Sequence, residues 1–274
     1  MPRLALSLAL LLGVTLFSRA TPAAEPAADQ AESDETRRLI EAELPNWKFF
    51  VGRGEERPLR LQPQSMLRWS NPGTGRVFGD VYVWTDRGRP EVVMSLFKAW
   101  QPANGFHVEL HSLTGEQLAA EREEKPIWHP ARPGITLADV PGAEVPADTP
   151  ARRLAQMKAI AREFSINLRD RRVNDSGENQ ALRLLNQPLY RYEPEAKELT
   201  DGALFAFALG TDPELFLLLE ARGGRWQYGV ARMNDGAMSV LYRDKEVQSF
   251  ERAADRDHDR DPYVLKRVPE TPRP

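Results

Sequence analysis

GDVYVWTDRGRPEV, residues 79–92, reads as a strand, a tight turn and the opening of a second strand. GALFAFALGTDPEL, residues 202–215, repeats that frame 123 positions later: a glycine, alternating apolar residues, a turn, then Pro-Glu. At this offset Arg68 falls on Arg191, Gly79 on Gly202, Pro90 on Pro213, Glu91 on Glu214 and Leu96 on Leu219. Aromatic positions also coincide, Trp69 with Tyr192, Tyr82 with Phe205 and Trp84 with Phe207. At an offset of 115, Arg37-Arg38-Leu39 falls on Arg152-Arg153-Leu154, and Phe49 on Phe164. Self-similarity of this kind predicts an internal repeat. The competing reading is that any two β-meanders share alternation and turn prolines.

Working outward from the two frames, the rest of each half follows. Strand patterns surround the first one, with FHVELHSL at 106–113 alternating cleanly. Phe106, Val108 and Leu110 share one face; His107, Glu109 and His111 share the other, which is expected to be wet. The second half opens on the best helix pattern in the chain, ARRLAQMKAIAREF, behind Thr149 as N-cap and Pro150 in the first turn. A shorter helix is predicted from Asp34 to about Leu44. A meander with one helix hides its apolar face only in part, so two such units would shelter each other. The expected fold class is therefore α+β: two helix-plus-antiparallel β-meander units, cystatin-like or NTF2-like by analogy.

The first twenty residues differ from the rest. MPR carries positive charge, LALSLALLLGVTLF is apolar, and Ser18-Arg19-Ala20 sets small residues at a cleavage site. This is the pattern of a secretory signal peptide, and its apolar run is short for a membrane span. The expected organisation is a signal peptide at 1–20, a flexible linker at 21–33, unit 1 at 34–135, a Pro/Gly-rich linker at 136–149, unit 2 at 150–252, and a charged tail at 253–274. No transmembrane span is expected after cleavage, and the location expected is exported, periplasmic or extracellular.

The chain has 274 residues, 41% hydrophobic and 28% charged, with a formal net charge of −3, which becomes −5 once Arg3 and Arg19 leave with the signal. That balance points to neither nucleic acid nor an anionic membrane as partner. Cysteine is absent, which excludes disulfides, thiol nucleophiles, cysteine-type zinc sites and lipoprotein anchoring.

The sharpest candidate site is a histidine cluster. Three of four histidines fall within 107–129. His107, Glu109 and His111 share a strand face, and His129 could approach from a neighbouring segment, giving a divalent-metal or acid–base site. The bland alternative is a solvated sheet face. The corresponding positions of the second half, at an offset of 120, are Gln227, Gly229 and Ala231, so the polar face belongs to the first half alone. Asp255, Asp257, Asp259 and Asp261 alternate in the tail but lack the glycine and glutamate that a calcium loop needs, and a solvated tail is expected. NPGTGRVFG at 71–79 joins two strands and opens no helix, so it is a hairpin loop rather than a phosphate cradle. Strand aromatics such as Trp69, Trp84 and Trp226 are expected in the core, with a binding platform as the alternative.

The stretch LRLLNQPLYRYEPEAKELTDGALFAFALGTDPELFLLLEAR, 182–222, resembles a family of exported bacterial proteins of unknown function, over a frame of about residues 66–250. The resemblance implies export and a recurring module, and carries no activity, cofactor or catalytic residue. The function expected is a non-catalytic binding or envelope-associated protein, its partner an unknown envelope protein or a small ligand, with no cofactor. The alternatives are a metal-assisted hydrolase or lyase using the His/Glu cluster, and a structural envelope protein.

Overall fold

A computed structural model describes residues 27–53, 56–71, 75–101, 104–169, 178–193, 198–253 and 259–269. The expected signal peptide lies outside them. Strand accounts for 54% and helix for 14%, so the fold is β-rich and the α+β expectation of helix-plus-meander units is overturned. The reason is local. Segments that read as connections, as weak strands or, at 237–244, as a further strand of the second meander pair into two additional sheets, and only two α-helices are present among the described residues.

Helix α1 (Ala27–Glu43) leads through a 3-10 turn (Leu44–Asn46) into β1 (Trp47–Val51), β2 (Arg57–Pro58), β3 (Arg60–Leu61), β4 (Leu67–Ser70), β5 (Arg76–Asp86), β6 (Arg89–Gln101), β7 (Gly105–Ser112), β8 (Leu118–Arg122) and β9 (Lys125–Trp128). After β10 (Ala138–Asp139) come α2 (Pro150–Arg162), β11 (Phe164–Arg169), β12 (Gln180–Ala181), β13 (Arg183–Leu184), β14 (Tyr190–Tyr192), β15 (Leu199–Leu209), β16 (Asp212–Arg222), β17 (Arg225–Arg232), β18 (Ala237–Tyr242), β19 (Lys245–Phe250) and β20 (Tyr263–Val268). Helix α1 begins within the expected linker. Its start overturns the flexible reading for residues 27–33.

Four antiparallel sheets result. Two are outer, β2-β1-β8-β9 and β12-β11-β18-β19. Two are central, β20-β7-β6-β5-β3 with β4 on β5, and β10-β17-β16-β15-β13 with β14 on β15. Each central sheet is completed by a strand from beyond the other half: β10 follows β9 in the chain yet pairs with β17, and β20 follows β19 yet pairs with β7. The expected solvated tail therefore contains a buried strand. Val264 and Val268 are 0% and 3% exposed. The tail's Tyr-Val-Leu-Lys-Arg-Val has too much apolar surface to stay in water once a sheet edge is open to it.

Alternation assigns the cores. Tyr82, Trp84, Met94, Leu96, Val108 and Leu110 face the first outer sheet, where Phe49 and Trp128 meet them. Phe205, Phe207, Leu217 and Leu219 face the second outer sheet and Met157 of α2. The opposite faces of both central sheets, Val81, Val83 and Val93 against Leu204, Phe216 and Leu218, form a third core joining the two halves. Central strands buried on both faces explain why LFAFAL and LFLLLEA read as unbroken apolar runs.

The repeated frame has a structural cause at each of its fixed residues. Trp69 stands opposite Gly79 and Tyr192 opposite Gly202. A Cβ on Gly79 would fall 2.6 Å from the Trp69 ring, and one on Gly202 2.4 Å from the Tyr192 ring. Pro90 and Pro213 pair with Thr85 and Ala208 where the register shifts, a break in the ladder that tolerates a missing N–H. The hairpin before Pro90 turns on Arg87 and Gly88, both at positive φ, which suits the twist of the strands it joins. Glu91 and Glu214 are buried and accept hydrogen bonds from Thr114 and Asn234 respectively.

Polar contacts cross the joint in both directions. The Ser70 N–H donates to Thr211 Oγ1 at 3.0 Å and the Thr211 hydroxyl donates back to the Ser70 carbonyl at 2.6 Å. From the other half, the Tyr190 hydroxyl donates to the Gly88 carbonyl at 3.1 Å. Arg89 Nε donates to the fully buried Glu220 at 2.7 Å, and its Nη1 to Glu91 at 2.8 Å. Tyr192 and Arg222 also donate to Glu220. Burial pushes the Glu91 carboxyl up to about 7, against the pull of Arg89.

Candidate functional site

Beside the joint lies a cavity of about 440 Å³. The segment after β9 contributes Arg132 and Ile135, β7 contributes His111, β17 Arg232, β19 Phe250, and β20 Tyr263. No element supplies the site alone, and the exchanged strand β20 forms part of its wall.

Arg232 is 4% exposed and is held by carbonyls: Nε donates to Asn234 at 2.6 Å, Nη1 to Glu251 at 2.8 Å, and Nη2 to Gly236. Its guanidinium lies 5.4 Å from the Phe250 ring centre and 5.2 Å from that of Tyr263. The Tyr263 hydroxyl donates to Glu109 at 2.6 Å; burial, then the Glu109 charge, hold that phenol well above its ordinary value. His111 donates from Nδ1 to the Ser112 carbonyl at 2.8 Å. Its pKa falls to about 4, chiefly through burial, with Arg232 and Arg132 adding to the drop. The ring is a neutral imidazole across the ordinary pH range. Arg132 reaches Asp261 at 3.3 Å near the exposed rim.

The residues expected to form a metal site go to separate places. His107 donates from Nδ1 to Gly105 at 3.0 Å and stacks on Phe97 at 5.2 Å between ring centres. Burial lowers its pKa. Glu109 accepts from Tyr263, and His111 lines the cavity. His129 is exposed and lies at another cavity, of about 310 Å³, beside Arg260. No group of three or more His, Asp or Glu side chains among the described residues is placed to hold a metal ion. The wet face expected for β7 is also overturned: Glu109 and His111 are 7% and 3% exposed, because β20 and the second half cover them.

Arg232, Tyr263 and Arg132 are the site residues that sequence reasoning missed. Arg232 closes a strand that pattern recognition found, but nothing local says its charge is buried. Tyr263 had a signal, the alternation of Tyr263, Leu265 and Arg267 against Val264, Lys266 and Val268 in a segment taken for a solvated tail. Known protein families, curated proteins and solved structures contain no match for the chain. Among the described residues no helix is long and apolar enough to cross a membrane.

Proposed function

We propose that this chain is an exported, non-catalytic binding protein of the cell envelope, and that its ligand is a small molecule held in the cavity beside the joint. The observation that carries the reading is that wall: one cavity of about 440 Å³ enclosed by residues from both halves and from the exchanged strand. Pockets of this size with a few convergent polar groups are the usual form of a small-ligand site. The polar groups there are committed to their neighbours, Arg232 to three carbonyls and Tyr263 to Glu109, which suits recognition better than proton transfer. The N-terminal pattern at 1–20 supports export. The common strand order of the two central sheets, with the matched glycine, proline and glutamate, supports descent from one duplicated unit.

The test is a thermal-shift screen of the processed chain against a metabolite library, run beside Thr136→Trp, which plugs the exposed rim of the cavity. A ligand at a hundred times its Kd adds about 2.7 kcal/mol to stability, enough to raise Tm by several degrees. The expected result is a rise in the parent chain that Thr136→Trp abolishes. A rise that persists in Thr136→Trp, or no rise with any compound, defeats the reading.

A further inference from the structure

We propose that the ligand of this cavity is an uncharged, hydroxyl-rich molecule, a sugar or polyol, one hydroxyl of which donates a hydrogen bond to His111 Nε2. The inference rests on the cavity being a binding site, and narrows what binds there.

The argument begins with the tautomer. Ser112 offers a carbonyl, which only accepts, so His111 carries its proton on Nδ1. Nε2 is then a bare lone pair. His111 is 3% exposed and lines the cavity, and no described residue donates to Nε2. Nε2 is not among the buried atoms left without a partner, so it is an accessible acceptor at the cavity wall, where water or the hydroxyl of an entering molecule can donate to it.

Charge narrows the donor. The groups around the ring are Arg232, Arg132, the Tyr263 ring and Ser112. Two guanidinium groups oppose an ammonium at that point, so the donor is neutral. An anion is not favoured either, because Asp261 and Glu251 in the same wall balance Arg132 and Arg232, and Arg232 donates to three backbone carbonyls. What remains towards the mouth is Thr136, Gln248 and Ser249, each able to donate and to accept. Hydroxyl groups do both as well, and a molecule carrying several of them matches the His111 acceptor and the mixed rim together.

The experiment reads the imidazole directly. Long-range proton–nitrogen correlation spectra of the ¹⁵N-labelled, processed chain distinguish Nδ1–H from a bare Nε2 for each histidine. A panel of neutral mono- and disaccharides is added, with amino acids and carboxylic acids of similar size as separate arms. The expected result is that a sugar displaces the His111 Nε2 resonance and leaves that of exposed His129 in place. His111→Ala then weakens that sugar by about tenfold, the value of one lost hydrogen bond. Ala231 at the corresponding place on β17 shows that the strand accommodates alanine. Should His111→Ala fail to fold, Ser249→Ala at the exposed rim is expected to weaken the sugar about threefold, by partial loss of one exposed hydrogen bond. If only charged compounds move the resonance, or the sugar binds His111→Ala and Ser249→Ala as tightly as the parent chain, the sugar assignment is wrong while the cavity remains a binding site. If no arm binds, the assignment and the binding reading fall together.

Discussion

Strands β7 and β17 occupy the same place in their two central sheets and face the joint with opposite chemistry. On β7 that face carries His107, Glu109 and His111; on β17 the corresponding residues are Gln227, Gly229 and Ala231. Over Gly229 lie Ile135 and Leu137, so close that a Cβ there would fall 3.1 Å from Ile135. Beside Glu109 and His111 in the same sheet stand Leu265 and Tyr263 of β20, with Tyr263 bonded to Glu109 and the cavity lined by His111 and Tyr263. One side of the joint is closed by packing. The other carries polar groups bonded to β20 and to their own strand, and the cavity lies beside them. A shared backbone plan leaves function to the few side chains in which the halves differ.

The largest expected effect breaks this comparison at the exchanged strands. Ending the chain at residue 258 removes β20, whose six residues pair along β7 and bury Tyr263, Val264 and Val268. At about 1.5–3 kcal/mol per buried side chain the loss approaches the whole stability of an ordinary domain. Such a chain is expected to lose cooperative unfolding in circular dichroism. Asp139→Ala, which clips the exposed contacts of β10 to Arg225 and Gln227, is expected to leave the melting curve in place. Similar curves for the two variants would mean that β20 does not complete the first half.

A second prediction sets the two buried titrating groups of the joint against each other. Glu91 is an acid raised from an ordinary value of 4.5 to about 7, so its stabilising share is full below 4.5 and is lost as pH climbs through 7. His111 is a base lowered from 6.5 to about 4, so its share is full above 6.5 and is lost as pH falls through 4. Their slopes oppose between about pH 4.5 and 6.5, and the parent chain is expected to be nearly level there in urea unfolding. Glu91→Gln uncovers a stability that rises with pH, and His111→Ala one that falls, each by at most about 1.4 kcal/mol per pH unit. Variants with equal slopes would show that the two groups do not titrate in opposition.

The smallest effect sharpens the likeness of the halves. Gly79→Ala and Gly202→Ala each push a Cβ into the ring of the facing aromatic, and each is expected to cost about 1–3 kcal/mol, the usual range for overpacking a core. Pairing with the ring truncated, Trp69→Ala for Gly79→Ala and Tyr192→Ala for Gly202→Ala, is expected to recover part of that cost. A double-mutant cycle showing no coupling would place the glycine requirement somewhere other than the aromatic cover.

By itself the sequence determined what depends on near neighbours. Alternation located the hairpins β5–β6 and β15–β16, Thr149-Pro150 set the start of α2, and the doubled Gly…Pro-Glu frame picked out the residues whose places turned out to be fixed by packing. Only the tertiary structure decided what lies against each face. Alternation shows that Phe106 and His107 point apart, but whether the polar side meets water depends on β20, more than 150 residues later in the chain. The segments at 118–128 and 237–250, the second of which already read as a strand from its apolar residues, joined outer sheets rather than the central meanders because the central hairpins offered them apolar faces to cover. Periodicity along a chain records which residues share a side. Burial, and with it the neutral state of His111, is set by contacts between distant segments that no local pattern encodes.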